Sequence, residues 1–205
     1  MRKLKFLKRV FIATVMALVV NISSYAHDFE VLDIYYDIIS SEDKTVSVTY
    51  QALPEGADFV YYYYGDVIIP ETVTYNGTTY SLISIGEGAF SYRELTSVVI
   101  PKSIISIGED AFVSCTNLRS VYITDLESWC KIDFDGSASN PLSVADNLYL
   151  NGELLTNLEI PEGIAEIKDY TFWGCRSLTN IDIPEGVTSI GKGAFGYCSG
   201  LTSIN

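Results

Sequence analysis

Residues Gly191–Gly196 (Gly-Lys-Gly-Ala-Phe-Gly) match the G-x-G-x-x-G pattern with which dinucleotide-binding proteins hold a pyrophosphate. That chemistry needs a helix directly after the glycines and an acidic residue roughly 20 positions further on. Only nine residues follow Gly196, and the equivalent segments Gly108–Val113 and Lys168–Trp173 lack the pattern. We therefore interpret these glycines as part of a structural repeat and predict no nucleotide site.

Three cysteines, Cys115, Cys175 and Cys198, recur at one position of the same repeat. In an exported protein they could form disulfides, and coils roughly 5 Å apart would allow a Cys175–Cys198 bridge. A ladder of small buried side chains explains the spacing equally simply, and we favour it. Cys130 lies outside this register, and without a CxxC pair the cysteines predict no zinc site.

The acidic residues form no pattern that predicts catalysis. Asp133–Ser137 resembles the start of a calcium loop but lacks the later glutamate of an EF-hand. The acids of Asp28–Asp43 are explained by solubility, and none occupies a marked repeat position as the paired carboxylates of a glycosidase would require. We predict no catalytic residue, metal or cofactor, so that an exported hydrolase is the weakest alternative.

Charge and histidine content narrow the function further. The 205 residues contain 13 Lys+Arg, 26 Asp+Glu and one His, which gives a net charge of −13 and a pI of about 4.3. Such a chain has no basic surface for phosphate backbones, so we exclude nucleic acid as a partner. A single histidine also excludes a His-rich metal site.

Residues 1–26 have the features of a secretory signal peptide. Five cations precede an apolar run, Val10–Val20, that is too short to span a bilayer, and small residues at Ser24 and Ala26 fit the cleavage site. We predict cleavage between Ala26 and His27. The leader carries no acid, so its removal leaves 179 residues with a charge of −18 and no membrane span.

The rest of the sequence is a repeat array. Ile-Gly-x-x-Ala-Phe occurs at Ile85–Phe90, Ile107–Phe112 and Ile190–Phe195, with a degenerate copy at Ile167–Phe172. Neighbouring copies are 22 or 23 residues apart, except that Phe112 and Phe172 are 60 residues apart, which is two repeat periods plus 14 inserted residues. Alternation in Leu178–Pro184 turns the leucine and isoleucines inward. One such coil cannot bury its own apolar face, so we expect copies to stack into a solenoid with a parallel sheet along one face.

The unit Leu-x-x-Ile-x-Ile-Pro-x-x-Val-x-x-Ile-Gly-x-x-Ala-Phe-x-x-Cys-x-x, complete at Leu178–Gly200, resembles the BspA-type leucine-rich repeat of bacterial surface proteins. The resemblance implies a β-rich solenoid of the leucine-rich-repeat type, with short helical or irregular turns, on the bacterial exterior. It also implies protein binding or adhesion. We assign about four copies to residues 67–205, with an insertion near 125–157 and a truncated last copy.

Residues 27–66 are predicted to form an antiparallel β cap over the first coil. Phe29–Ile39, Val46–Leu53 and Asp58–Pro70 have the composition of strands, and Pro54–Ala57 that of a turn. Two Asn-Gly pairs, Asn76-Gly77 and Asn151-Gly152, predict further hairpins. We expect Gly191 to supply backbone freedom at a corner of its coil.

Our first functional hypothesis is a non-catalytic protein, at the cell surface or secreted, that binds a protein of a host or neighbouring cell. The periplasm remains open as a location. The alternative is a structural or carbohydrate-contacting module, with Tyr62 and Tyr64 as contacts. The candidate binding face consists of the variable positions on the sheet: Thr96, Ser97, Val99, Arg119, Ser120, Tyr122, Thr179, Asn180 and Asp182.

The sequence stops at Leu201–Asn205, five residues into a new unit. The apolar positions of the preceding coil would then be left without a cover. We expect either a truncated reading frame or completion by another chain.

Overall fold

The computed structural model describes residues 27–50 and 63–205, which form a solenoid of stacked coils. The predicted leader, including Ala26, and the predicted turn at Pro54–Ala57 lie outside the described residues, as do the flanking residues of the two neighbouring predicted strands. Seventeen strands and two short helices are described: β1 Phe29–Val31, β2 Ile34–Ser40, β3 Thr45–Thr49, β4 Tyr64–Ile68, β5 Thr72–Tyr75, β6 Thr78–Ile85, β7 Glu94–Val99, β8 Ser106–Ile107, β9 Ser120–Ile123, α1 Leu126–Cys130, β10 Asp133–Phe134, α2 Leu142–Ala145, β11 Asn147–Leu150, β12 Glu153–Leu154, β13 Asn157–Glu159, β14 Glu166–Ile167, β15 Asn180–Asp182, β16 Ser189–Ile190 and β17 Ser203–Ile204.

The coils contribute strands to two parallel sheets, one on each of two sides of the solenoid, whereas the sequence predicts a parallel sheet along one side. The first sheet has the order β1-β2-β3-β6-β8-β10, with β5 also on β6, and the second has the order β12-β11-β9-β7-β4. Further along the solenoid the third sheet is β13-β15-β17 and the fourth is β14-β16. Pairing between successive coils is parallel, as expected, and keeps the repeat register: Ile85 is opposite Ile107, and Ile167 is opposite Ile190.

The N-terminal cap is antiparallel, as predicted, over β1–β3, but β4, which the sequence predicts to belong to it, pairs in parallel with β7 in the second sheet. Phe29–Ile39 is also two strands and not one. Leu32 and Asp33 have φ values of 54° and 61°, so the chain turns back on itself between β1 and β2. This turn brings Phe29 into the core, where its ring stacks on Tyr75 at 4.3 Å. The cap then joins the solenoid through parallel pairing of β3 with β6.

Both predicted Asn-Gly hairpins are confirmed. Asn76 and Gly77 have φ values of 48° and 76° and connect β5 to β6, and Asn151 and Gly152 have values of 52° and 83° and connect β11 to β12. Two consecutive positive φ angles are typical of the two-residue turn that Asn-Gly favours. The second hairpin places β12 at the edge of the second sheet, so the third sheet begins separately with β13.

The core consists of ladders, in which a side chain at one position of the repeat packs on the side chain at the same position of the neighbouring coil. The rings of Phe90 and Phe112 stack at 5.2 Å, and those of Phe172 and Phe195 at 5.5 Å. The four cysteines are free and buried, which agrees with the predicted ladder and not with a Cys175–Cys198 disulfide. The thiols of Cys115 and Cys198 donate to the carbonyls of the phenylalanines one coil earlier, Phe90 and Phe172, at 2.9 and 3.1 Å.

The expectation for Gly191 is wrong in its physical reason. Its φ is not positive; the left-handed residue of that turn is Gly193, at +61°. A Cβ added to Gly191 would lie 2.5 Å from the backbone nitrogen of Asp169 in the coil before. Glycine is therefore required at this corner because two backbones approach each other closely.

The insertion fills the core where the repeat is interrupted. Trp129 of α1 is buried, and its indole donates to the Thr171 carbonyl at 3.0 Å. Asn140, which is also fully buried, donates through Nδ2 to the carbonyls of Tyr170 and Thr171 at 2.8 and 3.0 Å. Cys130, outside the repeat register, is buried by the same insertion as expected.

Candidate binding face

The outer side of the second sheet presents two parallel rows of side chains. Alternation along each strand turns Val67, Val98, Val121 and Leu148 into the core, where they are at most 9% exposed. The intervening residues point outward and lie in register from β4 to β12. The aromatic row consists of Ile68, Val99, Tyr122, Tyr149 and Leu154, and the polar row consists of Asp66, Ser97, Ser120 and Asn147. We call this surface the sheet face.

The aromatic row is an apolar strip on the outside of a sheet whose inner side is already packed. The rings of Tyr122 and Tyr149 stack with centroids 4.7 Å apart and planes 24° apart. Ile68 and Leu154, at the two ends of the row, are 36% and 42% exposed. Side-chain contacts along a row of this kind hold the rings in fixed orientations, so the strip is organised before any ligand arrives.

Hydrogen bonds order the polar row at its β4 end. The Asp66 carboxylate accepts from the hydroxyls of Thr96 and Ser97 through Oδ1, at 2.8 and 2.7 Å. At the other end, Asn147 Nδ2 donates to the Arg119 carbonyl at 3.2 Å. The two rows together give an apolar strip next to a strip of fixed hydrogen-bonding groups.

Two of the nine predicted face residues lie in the two rows but are not accessible. Ser97 and Val99 are each 8% exposed. Ser97 is covered because its hydroxyl is bound to Asp66, and Val99 because it lies between Ile68 and Tyr122 in the aromatic row. Their exposure was expected from alternation alone, which does not take account of cover by neighbouring side chains.

The remaining predicted residues are at least partly accessible but do not form one surface. Thr96, Arg119, Ser120 and Tyr122 belong to the second sheet or its margin, and the Arg119 guanidinium donates back to the carbonyls of Thr116 and Leu118. Thr179, Asn180 and Asp182 belong to the third sheet or its margin. The β11–β12 hairpin separates the two groups because it ends the second sheet.

The third sheet has a different, polar surface. Asn180 Oδ1 accepts from Ser203 Oγ and from Asn205 Nδ2 in the next coil. Asp182 lies opposite Glu159 in the register of β13 and β15, and both border a shallow groove with Pro161 and Pro184. The exposed character of the solenoid therefore changes from aromatic to acidic and amide-rich along its length.

Sequence reasoning missed Ile68, Tyr149 and Leu154 as members of the face. Tyr149 could have been found by aligning Asn147–Leu150 with Ser120–Ile123, since Tyr122 and Tyr149 occupy the same place in the two strands. Leu154 could not, because it reaches the row only through the antiparallel return of the hairpin.

Neither a metal centre nor a helix that could cross a membrane is found in the part of the chain that the structure describes. No group of three or more His, Cys, Asp or Glu side chains in residues 27–50 and 63–205 is arranged to hold a metal ion. The helices described there are too short to cross a bilayer.

The stacked parallel coils and the repeated apolar ladders define a leucine-rich-repeat solenoid. The chain belongs to the BspA type leucine rich repeat family: six copies of that repeat match over residues 67–134, 83–148 and 142–205. No curated protein matches the sequence.

A solved structure agrees with the fold. A leucine-rich repeat protein from Bacteroides ovatus is 28% identical over 87% of this chain, with a TM-score of 0.55, and the match covers 41% of that protein. A leucine rich cell surface protein from Faecalibacterium prausnitzii is 23% identical over 90% of the chain, with a TM-score of 0.44, and 55% of it is covered. The chain thus spans about half of the length of these two proteins or less.

Proposed function

We propose that this chain is a non-catalytic protein of the bacterial exterior that binds a protein ligand of a host or neighbouring cell through the sheet face. The observation that carries the proposal is the aromatic row, in which the stacked Tyr122 and Tyr149 stand on a rigid sheet between Ile68 and Leu154. Tyrosines in well-packed surroundings are over-represented among the residues that dominate protein–protein binding energy. Repeat solenoids offer extended surfaces suited to such contacts.

Export is the second part of the proposal. It is supported by the composition of residues 1–26, with five cations, a short apolar run and Ala26 before His27, and by membership of the BspA-type family. The predicted mature charge of −18 favours partners that are not polyanions.

The test is binding of residues 27–205 to immobilised extracellular-matrix proteins and to cells. We expect saturable binding, and the double variant Tyr122→Ser/Tyr149→Ser should weaken it at least about tenfold, since aromatic anchors commonly contribute more than 1.4 kcal/mol. Tyr92→Ser is the matched control, because Tyr92 is 60% exposed on the turn before β7 and belongs to neither row of the sheet face. Its binding should equal that of the parent chain.

Absence of saturable binding to any of these ligands would count against the proposal. Equal losses in the double variant and in Tyr92→Ser would show that the sheet face is not the binding surface.

A carbohydrate-contacting module of a larger surface assembly is the second candidate. It is supported by Tyr64, which is 73% exposed at the start of β4, the edge strand of the second sheet. Tyr62, the other predicted contact, lies outside the described residues. A glycan-array signal that disappears in Tyr64→Ser but persists in Tyr122→Ser/Tyr149→Ser would favour this candidate over protein binding.

A further inference from the structure

The spacing of the aromatic row indicates the shape of ligand that the sheet face fits. Its five members lie on five neighbouring strands, and strands of one sheet are about 4.8 Å apart. The row therefore runs across the strands and is about 19 Å long. Ile68 and Leu154 are exposed at its two ends, and Tyr122 and Tyr149 are half-buried between them.

An α-helix laid along the row matches this spacing better than an extended strand does. One side of a helix presents a side chain about every 5.4 Å, so its side chains drift from the row by about 2 Å over the whole length. Side chains on one side of an extended strand are about 6.6 Å apart and would drift by about 7 Å, which is more than the distance between two members of the row. A helix of about 13 residues spans the row.

The polar row lies where the flank of such a helix would be. It is two residues away from the aromatic row along each strand, or about 6.6 Å, and a helix with its side chains has a radius of about 5–6 Å. A helix centred on the aromatic row would thus place one flank over Asp66, Ser97, Ser120 and Asn147. The fitting helix is therefore amphipathic, with an apolar side and a polar flank.

The charges next to the polar row indicate which side chains that flank should carry. Both hydroxyls that Asp66 accepts, from Thr96 and Ser97, are bound to Oδ1, so Oδ2 is available to a ligand. Glu94 is exposed, as Asp66 is, at the start of the adjacent strand. None of the ion pairs found in residues 27–50 and 63–205 includes either carboxylate, and the Arg119 guanidinium donates to backbone carbonyls instead. Two carboxylates without a cation favour Lys or Arg on the ligand.

We propose that the segment bound by the sheet face is an amphipathic α-helix with a basic flank. It lies across the strands, with its apolar side on the aromatic row and its cations at Asp66 and Glu94. This inference rests on the proposed function, because it names the part of the protein ligand that the sheet face contacts. The predicted mature charge of −18 would also speed the encounter with such a helix.

The test is the binding of labelled synthetic peptides of about 15 residues to residues 27–205, followed by fluorescence anisotropy. The basic peptide has Leu at every third or fourth position and Lys along one flank. A second peptide has Glu in place of each Lys, and a third has the composition of the first with a proline in the middle, which breaks the helix. We expect saturable binding of the basic peptide and at least about tenfold weaker binding of the other two.

Asp66→Asn tests the charge alone, because asparagine keeps an acceptor oxygen for the two hydroxyls. It should weaken binding of the basic peptide about two- to fivefold, as expected for one exposed ion pair, and should not weaken binding of the Glu peptide. Glu159→Gln is the matched control, since it removes one exposed carboxylate from the third sheet. Its affinity for the basic peptide should equal that of the parent chain.

The tyrosines separate this inference from the proposed function. Tyr122→Ser/Tyr149→Ser should weaken binding of the basic peptide at least about tenfold. Equal affinity for the helical and proline peptides, equal affinity for the Lys and Glu peptides, or equal weakening by Asp66→Asn and Glu159→Gln would overturn the inference. Binding of matrix proteins or cells that needs both tyrosines, without binding of the basic peptide, would overturn the inference and leave the proposed function standing. If neither kind of ligand depends on the tyrosines, both are wrong.

Discussion

At the scale of single residues, the corner glycines show how closely successive coils approach each other. A Cβ added to Gly108 would lie 2.6 Å from the backbone nitrogen of Glu87 and 3.0 Å from the carbonyl carbon of Gly86. These are backbone atoms of the coil before, and they cannot move aside as the end of a flexible side chain could. The glycine of the repeat therefore sets the distance between neighbouring coils.

We predict that Gly108→Ala destabilises the protein by about 1–3 kcal/mol, the usual cost of adding a methyl group to a packed region. The free energy of unfolding from urea titrations measures this change. Gly136→Ala is the control, because nothing lies within 4 Å of its added Cβ and its φ is not left-handed. That variant should stay within about 0.5 kcal/mol of the parent. Equal stability of the two variants would contradict the close-approach explanation.

At the scale of elements, the insertion between the second and third clear repeats connects two parts of the solenoid. Asn140 is fully buried, donates to two carbonyls of the following coil and accepts from the Leu142 amide at 2.9 Å. Trp129 adds a third donor from α1 to the same region, at the Thr171 carbonyl. The insertion thus contacts the following coil through side-chain hydrogen bonds, where a regular coil would pack on it through the repeated apolar ladder.

Asn140→Ala should lower the free energy of unfolding by about 2–4 kcal/mol, because it removes three hydrogen bonds made by a fully buried side chain and leaves the Leu142 amide without its acceptor. Asn147→Ala removes a single 3.2 Å bond at a half-buried site and should cost less than about 1 kcal/mol. Chemical denaturation of the two variants in parallel gives the comparison. A smaller loss of unfolding free energy in Asn140→Ala than in Asn147→Ala would show that the hydrogen bonds of the insertion do not stabilise the solenoid.

The elements also show what the sequence could predict. The strand ladders and both Asn-Gly hairpins were predictable because a repeated pattern or a specific dipeptide encodes them locally. The role of Asn140 was not, since no other copy has an equivalent residue with which to align it. The Leu32-Asp33 turn was missed because neither residue is a glycine, although both adopt positive φ. The burial of Ser97 and Val99 depends on side chains from other coils, which alternation along one strand does not reveal.

At the scale of the whole molecule, the continuous core holds ionisable groups that the fold keeps neutral. Burial raises the pKa of the Cys115 thiol to about 11 and the pKa values of Cys130 and Cys198 to about 12, from an ordinary value of 9.0. Burial also raises the pKa values of Tyr36 and Tyr63. These groups are distributed along the solenoid from Tyr36 to Cys198, so their ionisation destabilises the folded state of the whole solenoid and not of one coil.

We therefore predict that stability falls as the pH rises above 9. In that range the unfolded chain loses thiol protons that the folded chain retains, and the equilibrium shifts toward the unfolded state. One pH unit above the ordinary thiol pKa should cost about 1 kcal/mol for each buried thiol. Urea midpoints between pH 7 and pH 10 measure the loss, and Cys115→Ala should show a shallower decline because it has one thiol fewer. Constant stability up to pH 10 would contradict the prediction.

The register shared by successive coils has a consequence for how such genes change in length. Ile107 lies on Ile85 as Ile190 lies on Ile167, so the two sides of a regular coil are nearly interchangeable. Duplication or loss of one whole repeat therefore leaves each neighbour with the same kind of contact as before, whereas a change of a few residues shifts the ladder. Recombination between repeats can accordingly lengthen or shorten the solenoid in steps of one coil. The coil that contains Tyr170 and Thr171 is the exception, because it is bonded to Trp129 and Asn140 of the insertion, and a regular repeat has no equivalent of these two residues.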